Sequence, residues 1–133
     1  MADAGYSGRP LAAKLGVKPG CRLLLDNTPD GWSLEGSPVA PDLRPSRDPY
    51  DVIVVFCRDL AVLERRFAPL AERLTTAGAL WVCWPKKASG VPTDLTDGAV
   101  REHGLAGGLV DVKVAAIDAT WSGLKFVRRL RDR

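Results

Sequence analysis

The sequence predicts a three-layer α/β domain: a mostly parallel sheet of about five strands, closed at its C-terminal end by an antiparallel hairpin. Three observations predict it. Val52-Ile53-Val54-Val55-Phe56 is an unbroken β-branched and aromatic run, the pattern of a strand covered on both faces. Leu60, Leu63, Phe67, Leu70 and Leu74 follow at helical spacing, and a further apolar run, Leu80-Trp81-Val82-Cys83-Trp84, follows those, so strand, helix and strand make one right-handed crossover unit. Leu109–Ile117 and Leu124–Val127 are two strand patterns joined by a polar corner too short for a crossover, hence antiparallel. A chain of 133 residues holds one core, so residues 1–133 are read as one domain with loose ends at 1–9 and 130–133.

The elements follow in order. Pro10 suits the first turn of a short helix, where its missing donor costs nothing, and Gly16 ends that helix. Lys18-Pro19-Gly20 turns the chain into Cys21–Leu25, a short buried strand. It ends in Asp26-Asn27-Thr28-Pro29-Asp30-Gly31, which is turn chemistry. A nucleotide-binding fold would place a glycine-rich loop here; Gly31 stands alone and Pro29 interrupts. Trp32–Gly36 has room for one helical turn. Pro38, Pro41, Pro45 and Pro49 each remove a donor and restrict the residue before, so 36–49 is an irregular surface crossing. Asp59 is placed to cap the next helix, Pro69 to kink it and Gly78 to end it. Ala79–Cys83 is the third strand. Thr93, Asp94 and Thr96 are caps for a helix near 95–103, with Gly104 as its terminator. Val110, Val112, Val114 and Ala116 alternate onto one face of the fourth strand.

Composition narrows the function. No apolar run approaches the roughly 20 residues that cross a bilayer, and the N-terminus lacks a secretory pattern. Three scattered cysteines and a single histidine offer neither a disulfide framework nor zinc spacing. The expectation is a cytoplasmic protein with no metal and no membrane partner. The net charge of +3, concentrated in Arg128, Arg129, Arg131 and Arg133, favours anionic partners weakly. No nucleic-acid motif accompanies that tail, so nucleic acid is a disfavoured partner.

Open α/β sheets bind ligands beyond the carboxyl ends of their strands, so the polar residues there are the candidates. The loop after the third strand is the densest, with Trp84, Lys86, Lys87, Ser89, Thr93 and Asp94. The lysines are mobile point charges for phosphate or carboxylate. As neighbours on extended backbone they point oppositely, so one of them faces the cleft. Ser89, Thr93 and Asp94 offer groups for orientation or proton transfer, though their commoner role is turns and caps. Trp84 and Trp121 are placed to stack on a planar ligand; the commoner role of such residues is core packing. Asp118 opens a second polar corner, Asp118–Gly123, which the topology brings beside the lysine loop. Asn27 ends the first strand at the same edge.

Several blocks resemble a known family. Trp84–Gly90, Thr93–Thr96, Gly108–Val114 and Trp121–Lys125, with Tyr6-Ser7-Gly8, Pro10-Leu11-Ala12 and Lys14-Leu15-Gly16, are similar to the uncharacterised bacterial family known as domain of unknown function 3052. The resemblance spans nearly the whole chain apart from Ser33–Pro49 and implies no activity. The element order separately resembles class I methyltransferases lacking their second strand and its helix. That topology alone admits S-adenosylmethionine, but without the glycine motif the sequence reads as having no cofactor. The first reading is therefore a non-enzymatic binding domain for a small anionic ligand or a protein partner at the lysine-loop face. A second is a transferase-like enzyme with Lys86 as charge stabiliser and Asp94 as acid/base. A third is a nucleic-acid-associated protein using the basic tail. An exposed tryptophan face would also allow a homodimer.

Overall fold

Residues 9–133 are described by a computed structural model. Its strands are β1 (Leu23–Asp26), β2 (Tyr50–Phe56), β3 (Leu74–Pro85), β4 (Leu109–Ala116) and β5 (Trp121–Arg128); its helices are α1 (Leu11–Lys14), α2 (Leu60–Ala71) and α3 (Asp97–Ala106). The five strands form one sheet in the order β1-β2-β3-β5-β4. The first three are parallel, and β5 is antiparallel to both its neighbours. This is the expected α/β architecture with its C-terminal hairpin.

Alternation along β2 divides the core in two. Ile53 and Val55 face α2 and α3, against Leu63, Phe67 and Val100. Val52, Val54 and Phe56 face α1 and the crossing segment, against Ala12, Leu15 and Leu34. Residues buried this completely each contribute about 1.5–3 kcal/mol from removal of apolar surface, and β2 supplies five in a row from Val52 to Phe56. Trp81 is fully buried on the α1 side, and its indole N–H donates to the Leu15 carbonyl at 3.1 Å, so the polar end of the ring is satisfied.

Several expected boundaries move. Leu74 continues the helical spacing of α2, yet the helix stops at Ala71, with Pro69 in its last turn, and Leu74 opens β3 beside Tyr50. Gly78 therefore ends no helix. It lies inside β3, where a Cβ would come within 2.9 Å of the Tyr50 carbonyl oxygen. Gly104 likewise does not terminate α3. It is buried in the last turn of the helix, and a Cβ there would fall 2.0 Å from the Phe126 ring, so its lack of a side chain lets α3 approach β5. The helix stops at Gly107 and the chain turns at Gly108, whose φ is +94°. A register shift between Asp111 and Lys113 breaks the alternation expected of Val110, Val112, Val114 and Ala116. Trp32–Gly36 forms no helical turn. Leu130–Asp132 close the chain as a 3-10 turn.

The proline-rich segment sets the topology. Asp42 makes a parallel bridge to Leu24, its N–H donating to the Leu23 carbonyl at 2.8 Å and its carbonyl accepting from Leu25 N–H at 2.9 Å. Those groups of Leu23 and Leu25 point away from β2, so Asp42 sits on the outer side of β1. The Tyr50 hydroxyl donates to the Asp42 carboxylate, and Arg22 lies over the Tyr50 ring at 4.5 Å, fixing the return path. The chain thus leaves β1 to one side, touches the sheet at one residue, and returns to β2 on the other side. That reversal is a topological switch point, and it lies between β1 and β2.

No helix among the described residues is long and apolar enough to cross a membrane, and no group of three metal-ligating side chains occurs among them.

Candidate functional site

A cleft of about 470 Å³ opens at that switch point. One wall is the turn after β1, with Asn27, Thr28, Pro29 and Asp30. The other is the start of α2, with Arg58, Asp59, Val62 and Arg65, and Phe56 and Trp121 also line the space. Each side chain is placed by an element end. Asn27 takes the left-handed conformation, φ 58°, which asparagine tolerates better than most residues. Its side-chain amide donates to the Phe56 carbonyl at 2.8 Å, tying the β1 turn to the end of β2. Phe56 meets Trp121 and Trp32 edge-on, with centroids 5.1 and 4.8 Å apart. Asp59 caps α2 by accepting from Val62 N–H at 3.0 Å. The side chains of Arg58 and Arg65 have no hydrogen-bond or ion-pair partner among the described residues.

Of the residues singled out from the sequence, Asn27 and Trp121 line this cleft; the others do not. Trp84 is 5% exposed and packs in the α2 and α3 core, so it presents no face for stacking. The two polar corners do meet: Pro85 pairs with Trp121, and Lys86 N–H donates to the Thr120 carbonyl at 2.8 Å. The loop's polar groups, however, are engaged with its own backbone and its neighbours'. The Ser89 hydroxyl donates to the Lys86 carbonyl at 2.7 Å. The Thr93 hydroxyl donates to the Arg58 carbonyl at 2.6 Å, and the Asp94 carboxylate accepts from Leu60 N–H at 2.8 Å. Asp118 accepts from Thr120 N–H, Trp121 N–H and the Trp32 indole. Lys86 is half-buried and Lys87 exposed, both outside the cleft lining.

Sequence reasoning passed over Thr28, Phe56, Arg58, Val62 and Arg65 as candidates, and read Asp30 chiefly as a turn residue at the strand edge and Asp59 only as a cap. The signal was present at Cys57-Arg58-Asp59, where polar residues immediately follow the most strongly apolar strand. What the sequence hid was the switch point, because a single bridging residue carries it.

Thiol chemistry is disfavoured at this edge. Burial, with the neighbouring Asp26 carboxylate second, pushes the Cys57 thiol up to about 12, and burial raises Cys83 well above its ordinary value. Both stay protonated at neutral pH and are poor nucleophiles. Asp26, 7% exposed, is paired with Arg66 at 2.9 Å, which supplies the counter-charge that a buried carboxylate at a strand end requires.

No family model matches the chain, and no curated protein matches it in sequence. Solved structures do match in fold. A candidate methyltransferase from Thermoplasma acidophilum is 10% identical with a TM-score of 0.55, over 86% of this chain and 70% of that one. Magnesium protoporphyrin IX methyltransferase from Synechocystis PCC 6803, solved with bound S-adenosylmethionine, is 12% identical with a TM-score of 0.50, over 90% of this chain and 74% of its own. LepI, solved with S-adenosylhomocysteine and a substrate analogue, is 12% identical with a TM-score of 0.51, over 90% of this chain but 39% of its own length. The fold is thus methyltransferase-like.

This finding corrects two expectations. The reading as a non-enzymatic binding domain, and that of no cofactor, both rested on the missing glycine motif. Neither stands, because the same fold appears in methyltransferases and in proteins solved with S-adenosylmethionine or S-adenosylhomocysteine. The motif's absence describes how one turn is built. It does not separate this chain from that group.

Proposed function

We propose that the chain is a small methyl-transfer enzyme that binds S-adenosylmethionine in the cleft between β1 and β2. The observation that carries this reading is the coincidence of an open cleft with the switch point of a methyltransferase-like sheet. The transferase-like alternative is kept, with cleft residues taking the place of Lys86 and Asp94.

The residues present fit the cofactor. The volume of about 470 Å³ lies within the range of small-molecule sites. Trp121, half-buried and packed edge-on against the buried Phe56, offers aromatic surface for a flat base or for a cation. Asn27 and Thr28 offer an amide and a hydroxyl for ribose hydroxyls. When bound, S-adenosylmethionine supplies a methyl group carried on a positively charged sulfur. Pro29 has no N–H, so this turn offers one backbone donor fewer than a glycine-rich loop of the same length. Phe56 and Trp121 keep water from the inner end of the cleft. Asp59 is committed to its helix, which leaves the Asp30 carboxylate, with no partner among the described residues, to take a proton from an acceptor.

Membership of the bacterial family of domain of unknown function 3052 belongs to the same proposal. It rests on the sequence blocks given above, several of which have structural duties: Trp84 in the core, Ser89 in a turn, Thr93 and Asp94 at the start of α2. The free cysteines suit the reducing cytoplasm.

Thermal denaturation with S-adenosylhomocysteine tests the reading. At a ligand concentration about 100 times Kd, linkage gives roughly 2.7 kcal/mol of stabilisation, a rise of about 10 °C in Tm for a domain of this size. Trp121→Ala removes most of that rise. No rise with either S-adenosylmethionine or S-adenosylhomocysteine at millimolar concentration sinks the proposal.

A further inference from the structure

We infer that the acceptor substrate carries an oxyanion, a carboxylate or a phosphate monoester, and that Arg58 and Arg65 receive it; this rests on the cleft being the transfer site proposed above. Arg58 stands directly before the cap residue of α2, and Arg65 follows Val62 by three positions, which puts those two on one helix face. Both line the cleft and both are exposed. Their neighbours are engaged otherwise. Arg66 is bound to Asp26, and Arg73 donates to the Ser46 carbonyl. The root of Arg58 is rigid, because its carbonyl accepts from Thr93 and the preceding Cys57 N–H donates to the Cys83 carbonyl at 2.8 Å.

The charge and the chemistry agree. On the α2 wall two guanidinium groups stand against one carboxylate, Asp59, which is already bonded to Val62 N–H. The other acidic side chain of the cleft, Asp30, lies on the opposite wall. The positive end of the α2 dipole adds to the attraction for an anion. A guanidinium matches carboxylate and phosphate geometry with paired donors, and one from the segment just before α2 with one from the helix itself present a fork to a group entering between the walls.

The experiment uses the full chain saturated with S-adenosylhomocysteine and follows amide shifts during titration with phenyl phosphate, benzoate or phenol. The three probes share a ring and differ in charge; the first two distinguish phosphate from carboxylate. An anionic probe is expected to bind about ten-fold more tightly than phenol, the size of one charge-assisted hydrogen bond. Arg58→Gln and Arg65→Gln each remove that preference and leave the affinity for S-adenosylhomocysteine within about two-fold, a difference under 0.5 kcal/mol. Equal binding of phenol and both anions overturns the inference. So does a loss of S-adenosylhomocysteine affinity in either variant, which would assign the arginines to the cofactor's own carboxylate. The same titration is repeated on the chain without S-adenosylhomocysteine, so failure of the wild-type chain to bind that ligand overturns the methyl-transfer reading alone while the anion preference is still read.

Discussion

Two loops leave the same edge of the sheet, one after β2 and one after β3, and they differ in what their polar groups are free to do. The loop after β3 has the higher density of lysine, serine, threonine and aspartate, yet Ser89, Thr93 and Asp94 are bonded to backbone. The segment after β2 is shorter and plainer, yet the side chains of Arg58 and, one helical stretch on, Arg65 stand beside an open cleft with no partner among the described residues. Density of reactive side chains is therefore a poor guide to a site. A polar group is available only after the backbone donors and acceptors around it have been satisfied. Where the chain reverses its direction across the sheet decides which loop is left open.

The contrast can be broken by substitution. The largest effect is expected for Phe56→Ala, which empties the inner end of the cleft and the α1-side core together. A loss of about 3–5 kcal/mol in urea denaturation follows from removing a buried phenylalanine. A loss below about 1 kcal/mol would mean that the ring does not pack as described. Next is Asp94→Ala, which deletes the acceptor for Leu60 N–H and loosens the β3 loop from α2. It is expected to cost about 1 kcal/mol, the size of a helix cap, without changing the affinity for S-adenosylhomocysteine. An affinity loss with unchanged stability would make Asp94 a ligand residue after all. The smallest effect is expected for Lys86→Ala with Lys87→Ala, within about 0.5 kcal/mol in stability, as for surface substitutions generally, and with no change in calorimetric ligand affinity. A marked loss of affinity there would move the site to the β3 loop.

The fold was readable because its strongest signals are local. The β-branched run of β2 and the spacing of Leu60, Leu63, Phe67 and Leu70 need no knowledge of distant chain. Errors arose where a distant partner overrides the local pattern. Leu74 keeps helical phase but pairs with Tyr50, and Gly104 looks like a terminator but makes room for Phe126. The site was readable in part for the same reason. Asn27 and Trp121, expected as candidates because they stand at strand ends, line the cleft. Thr93 and Asp94 bond to groups more than thirty positions earlier in the chain, at Arg58 and Leu60, so their engagement is invisible to a local reading. The α2 wall of the cleft needed the path of residues 36–49, which follows from the Asp42 bridge and not from any motif.

That bridge has a further consequence, for solubility. A rim strand made of Leu23, Leu24 and Leu25 would ordinarily offer its outward peptide groups to another chain and seed polymerisation. Asp42 occupies the Leu23 carbonyl and the Leu25 N–H, so the leucine-rich rim has lost that docking register before any stranger arrives. At the opposite rim the irregularity at Asp111 and Lys113, with a charge on either side of it, spoils the straight template that a second β4 would need. A sheet this small thus guards its borders with one residue at one rim and two at the other rather than with added strands.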